Sequence, residues 1–287
     1  MDNTIVVGCD IGGSHISTAL VNLADKALIE HTFIRQGVNS HDTVEAIIAS
    51  WVSCIRLSLE KGHLEKAAVG IAIPGPFDYE EGVSLMKGQN KYEALYQINV
   101  RTLLAEALAI CPQDIRFIND AASFLQGEMF AGSGASFDKA VGLTLGTGLG
   151  SALFLNGHAV DADLWCTPFK EGIAEDYLSG RWLKDTYCKR SGKTVESVKA
   201  LCALVPTDET AAAVFDEFGK TLGEFIASEL LVDKPEGLIL GGNIAKAHEL
   251  FITQTHERLK AEGILLPIRV AALGELAAIY GAADILK

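Results

Sequence analysis

The chain has no apolar run approaching the ~18 residues that a membrane-spanning helix needs, so no span is expected. Met1-Asp2-Asn3-Thr4 leads into an apolar strand with no basic stretch before it, and a secretory signal is not expected either. The six cysteines, Cys9, Cys54, Cys111, Cys166, Cys188 and Cys202, include no CxxC pair and mostly fall in apolar segments. That usage points to reduced, buried thiols in a cytoplasmic protein, with no zinc or redox centre. There is no basic arm: the net charge of −13 is spread along the chain, which favours solubility and opposes non-specific contact with nucleic acid. Low-complexity linkers are absent too, so any domain boundary must be a tight crossover.

What is present is a 287-residue chain, 49% apolar and 21% charged, a length that favours two domains. Ile5 to Cys9 is a short β-branched run that reads as a buried strand ending at Asp10. Ile16 to Val21 and Ala27 to Phe33 extend it to a three-stranded meander. From Thr43 to Leu59 the period becomes helical, with Gly62 as the stop. Strand 67–73, the turn Pro74-Gly75-Pro76, helix 100–109 and strand 115–118 follow. The second half restarts the plan. Ala140 to Leu145 is a strand ending in glycines, Ser151 to Leu155 returns, and Asn156-Gly157 marks a hairpin with His158 at its flank. Strand, glycine turn, strand recurs at half the chain length, the mark of a duplicated α/β core. Residues 175–232 read as mostly helical, including a long helix over 208–231. Strand 238–240, helix 244–261, strand 268–273 and helix 274–286 close the chain.

Three glycine turns follow apolar strands: Asp10-Ile11-Gly12-Gly13-Ser14, Leu145-Gly146-Thr147-Gly148-Leu149-Gly150 and Gly241-Gly242-Asn243-Ile244. Such turns let backbone amides approach a phosphate or a purine. The first lacks the lysine of a Walker A loop, and a strand, not a helix, follows it. In the second, the last glycine of GxGxxG falls on Ser151 and a strand follows, which excludes a dinucleotide fingerprint; Thr147 is placed to offer its hydroxyl and amide to a phosphate. Asp10 has two readings, a carboxylate beside a phosphate-sized concavity that suits Mg²⁺ or the cap of a turn. Arg116-Phe117-Ile118-Asn119-Asp120-Ala121 ends a strand and opens a helix. Asn119 and Asp120 there are either a helix cap or a pair that grips a hydroxyl.

Together these motifs resemble the ROK family of sugar kinases, in the actin, Hsp70 and hexokinase superfamily, over nearly the whole chain. Asp10 to Ser14 is similar to that family's first phosphate loop, Pro74-Gly75-Pro76 to its PGP turn, and Ile118 to Ala121 to its catalytic segment. Leu145 to Gly150 is similar to its second phosphate loop, and Gly241 to Ile244 to its adenosine-side turn. The resemblance implies an α/β, duplicated actin-like (ribonuclease H-like) fold of two lobes with a cleft between them. The lobes expected are residues 1–118 plus 275–287 and residues 119–274. It implies phosphoryl transfer from ATP·Mg²⁺ to a hexose, foremost the 6-hydroxyl of glucose, with Asp120 as general base. Asn90, Asn119, Asp120, Asp163 and Glu175 would hold the sugar. Asp10, Gly12, Gly13, Ser14, Gly146, Thr147, Gly148, Gly241, Gly242 and Asn243 would hold the nucleotide, with Asp10 reaching Mg²⁺ through phosphate and water. A homodimer is also implied.

The chain departs from that pattern between Asp163 and Glu175. Asp163-Leu164-Trp165-Cys166 stands where the family carries ExGH, and Thr167 to Glu175 replaces a cysteine loop that binds zinc. Only Cys166 remains of such a ligand set, so no structural zinc is expected. The changed stretch also admits an N-acetylhexosamine as the sugar, or a degenerate member that binds without turnover. A transcriptional regulator of the same family would need a DNA-binding segment ahead of the first loop, where nine residues precede Asp10.

Overall fold

The computed structural model describes residues 4–231 and 234–287. Met1, Asp2 and Asn3 of the expected start and Val232, the end of the expected helical stretch, lie outside them. The chain divides into two compact units, one of residues 1–135, 158–160 and 275–287, the other of residues 136–157 and 161–274.

In the first unit, strand Ile5–Ile11 pairs antiparallel with His15–Asn22 and parallel with Val69–Ala72, which pairs parallel with Ile115–Ile118. Alternation along the strands feeds two apolar layers. Val7, Cys9, Ile11 and Ile16 face the helices Val44–Lys61 and Val100–Leu108, while Val6, Ala19 and Val21 face the terminal helix Ala277–Asp284. That terminal helix is built of small residues because it lies directly on the sheet. A Cβ on Gly70 would stand 1.6 Å from the Ala282 carbonyl oxygen.

Helix Asp120–Ala131 belongs to this same unit, so the unit runs past the expected 118/119 boundary. The cause is backbone packing: a Cβ on Gly127 would meet Ala277 O at 2.0 Å, and one on Gly281 would meet Ser123 O at 1.9 Å. Helices that close cannot part into different bodies without exposing both.

The second unit repeats the topology. Strand Ala140–Leu145 pairs antiparallel with Leu149–Leu155 and parallel with Gly237–Gly241, which pairs parallel with Ile268–Val270. Its core joins these strands to helices Gly180–Ser191, Glu209–Phe225 and Ile252–Ala261 through Leu183, Phe215, Phe218, Leu222 and Leu259. Asn156 and Gly157 have φ of 54° and 85°, the left-handed pair a two-residue hairpin demands.

Three expected elements are broken. Ala27 to Phe33 forms only a two-residue strand, Ala27–Leu28, then a 3₁₀ turn at Glu30–Thr32. Buried Thr32 causes the break: its hydroxyl donates to Ile29 O at 2.6 Å and accepts the Leu20 N–H at 2.9 Å. The helix expected over 244–261 splits into Gly242–Ala245, a 3₁₀ turn at His248–Leu250 and Ile252–Ala261. The helix expected over 208–231 is α-helical over Glu209–Phe225, with Asp208 as its cap, and turns π-helical over Ile226–Leu230. The cysteines divide as well: Cys9 and Cys54 are buried, whereas Cys111 and Cys166 are exposed, and the described thiols are free.

Candidate active site

In the first unit Asp10 lies near the carboxyl end of its strand, and the hairpin Gly12-Gly13-Ser14 turns directly after it, closed by Gly12 N–H donating to His15 O at 2.9 Å. Ser14 and Gly13 are exposed. Tyr92 fixes this turn from below. Its hydroxyl donates to the Gly12 carbonyl at 2.6 Å, its ring meets Trp51 edge-on at 5.3 Å, and burial pushes the phenol up to about 12. The Lys91 side chain runs past Gly13, with its Cδ 3.7 Å from where a Cβ would be. Sequence reasoning stopped at neighbouring Asn90, which is exposed, left-handed at φ 55°, and donates its N–H to Glu93 Oε1.

Asn119 caps helix Asp120–Ala131: its carboxamide oxygen accepts from Ala121 N–H at 2.8 Å and Ala122 N–H at 3.1 Å. Its amide nitrogen donates to the Tyr79 hydroxyl at 3.3 Å. The cap and the site are therefore one arrangement, since capping is what aims the next residue. Asp120 is exposed, and Oδ1 is steadied by the Ala121 N–H at 3.0 Å. Asp10 and Asp120 feel one another. Burial first, then the Asp120 charge, raise Asp10 from 3.8 to about 6; Arg35 opposes this and Glu275, itself paired with Arg35 at 2.7 Å, adds to it. The Asp10 carboxylate offers hard oxygens of the kind that suits Mg²⁺.

In the second unit, Gly146-Thr147-Gly148 is the three-residue turn between paired Leu145 and Leu149, with Thr147 exposed at its tip. Gly146 O accepts the N–H of Gly180, the first residue of helix Gly180–Ser191, at 2.8 Å. Gly242, at φ 82°, passes so near that a Cβ would stand 2.3 Å from Leu145 O. The second and third glycine turns are thus packed side by side, and Asn243 is exposed beside them. Glu175 joins the group: its Oε2 accepts the Leu149 N–H at 3.0 Å, and its other oxygen lies 4.0 Å from Arg181.

Asp163 sits differently. At φ 53° it precedes a 3₁₀ turn, and its Oδ1 accepts the indole N–H of Trp165 at 3.0 Å. The Cys166 thiol points to Asp163 O at 3.3 Å. Among the described residues no three His, Cys, Asp or Glu side chains gather as a metal site. No helix among them is long and apolar enough to cross a membrane.

The sequence profile of the ROK family matches residues 6–164 and 159–287. An N-acetylgalactosamine kinase of Shewanella sp. ANA-3 is 27% identical, covering 96% of this chain and 94% of its own. A glucokinase of Thermotoga maritima is 26% identical, covering 98% and 97%. Among solved structures, a ROK family glucokinase of Streptomyces griseus in complex with glucose and AMPPNP superposes with a TM-score of 0.75 at 20% identity, covering 98% of each chain.

Proposed function

Since the chain belongs to the ROK family, whose fold is the actin-like ATPase fold and whose matched relatives are sugar kinases, we propose that it transfers the γ-phosphoryl group of ATP to a sugar hydroxyl, with Asp120 as general base. The observation that carries this reading is an exposed Asp120 at the head of a helix capped by Asn119, just past a strand whose Ile118 registers with Ala72, as Asp10 does on that strand's other side, beside the Gly12-Gly13-Ser14 turn. Phosphoryl transfer passes through a loose transition state, so the protein supplies position and charge rather than covalent chemistry. Asp120 orients the hydroxyl and accepts its proton as the new bond forms. Amides of the Gly12–Ser14 and Gly146–Gly148 turns take phosphate oxygens, and Gly241, Gly242 and Asn243 the nucleoside side. Asp10 would hold Mg²⁺ through phosphate and water, and the bound ion would neutralise phosphate charge.

Asn90, Asn119 and Glu175 are assigned to the sugar. Asn119 offers its amide nitrogen, because its oxygen already caps the helix. The 6-hydroxyl of glucose is the leading acceptor, and an N-acetylhexosamine is the second reading, favoured by the name of the Shewanella relative. A panel of hexoses and N-acetylhexosamines with ATP and Mg²⁺, followed by coupled detection of ADP, tests both. Sugar-dependent ADP release is expected. Its absence with every sugar would leave a binding protein in place of an enzyme.

A further inference from the structure

Residues 167–175 carry an arrangement that the catalytic reading does not use. Pro168–Phe169 and Gly172–Ile173 form a small hairpin whose turn is Lys170-Glu171, and the helix Ala174–Tyr177 that bears Glu175 starts at once. The Lys170 ammonium reaches helix Glu209–Phe225, donating to Thr221 Oγ1 at 3.1 Å and pairing with Glu224 Oε2 at 3.0 Å. It also lies 5.5 Å from the ring centroids of both Phe169 and Tyr177. Phe169 is buried and packs edge-on against Tyr177 at 5.8 Å and Phe225 at 5.4 Å. One cation therefore draws together the hairpin, the short helix and the long helix.

We propose that Lys170 is a positioning residue for Glu175 and, through it, for the Gly146-Thr147-Gly148 turn. The path is short. Glu175 lies five residues beyond Lys170 and two before Tyr177, and its Oε2 holds the Leu149 N–H at 3.0 Å. It also presses on Gly148, where a Cβ would be 2.3 Å from the same oxygen. A four-residue helix has almost no stability of its own, so its place is set by what grips its ends. At one end the Ala174 N–H donates to Thr167 O at 3.0 Å, and at the other the Tyr177 ring faces the ammonium. Lys170 itself stands at φ 55°, the left-handed state that the first position of a two-residue hairpin turn calls for. As the effect on sugar binding rests on the reading of Glu175 as a sugar ligand, the test separates the two.

Hydrogen–deuterium exchange on the ligand-free protein reads the positioning without any activity. In Lys170→Met, which keeps the chain length and removes the charge, peptides covering 145–150 and 172–178 exchange faster than in the wild type. Lys170→Arg restores the wild-type rates, and Arg190→Ala, which breaks a separate ion pair with Glu217, leaves those peptides unchanged. In turnover, Lys170→Met raises the sugar KM roughly tenfold while kcat stays within about twofold. Unchanged exchange in both peptides overturns the proposal, whatever the activity. If exchange quickens while the sugar KM of an active enzyme stays unchanged, the positioning stands and the assignment of Glu175 to the sugar fails. If the wild type phosphorylates no sugar but exchange quickens in Lys170→Met, the function proposed above fails and the clasp stands.

Discussion

Replacing Asp10 by asparagine should make the ligand-free protein more stable while removing its use of ATP. Burial and the Asp120 charge raise the Asp10 carboxyl from 3.8 to about 6. At about 1.4 kcal/mol per pK unit, the ionised group costs the fold about 3 kcal/mol at high pH. Below pH ~4 the carboxyl is protonated in both folded and unfolded chains and there is no penalty. Between pH ~4 and ~6 the folded state keeps a proton that the unfolded state releases, so stability falls as pH rises, and above pH ~6 the whole penalty applies. Asn keeps the shape without the charge. Its amide group, half-buried among strand ends, takes back about 1 kcal/mol. The expected gain is about 1–2 kcal/mol at pH 8, vanishing by pH 4, in urea unfolding followed by circular dichroism without metal or nucleotide. Asp120→Asn removes one neighbour of Asp10 and should give a smaller gain of the same sign. A loss at pH 8, or an equal gain at both pH values, would refute the account of two crowded carboxylates.

Asp120→Ala should bind nucleotide as the wild type does and lose roughly 10²- to 10⁴-fold in kcat, checked by coupled ADP assay beside nucleotide titration. Tyr92→Phe removes the hydroxyl that holds Gly12 O and should weaken ATP binding about fivefold with the thermal midpoint little changed. A large loss of stability without loss of affinity would instead make Tyr92 a core residue only.

The three glycine turns and the Asn119-Asp120 cap were legible because each is a local signal: an apolar run, then residues whose backbone or side chain can only serve a turn or a helix start. The repeat of that signal at half the chain revealed the duplicated topology. Contacts distant in sequence were hidden. Tyr92 acts on Gly12 across 80 residues and Lys170 on Thr221 across 51, and neither spacing leaves a periodic trace. Thr32 looked like a strand residue, since β-branching favours strands, until its hydroxyl was seen to bond two backbone groups. Asn119 does end a strand, but the glycine contact between helices 120–131 and 277–284 keeps the following helix with the first unit.

That same helix contact bears on how the chain is made. The apolar layer of Val6, Ala19 and Val21 is covered by Ile279 and Ala283, which leave the ribosome more than 250 residues later. Synthesis thus delivers the second unit before Ile279 and Ala283 are there to complete the cover over that layer.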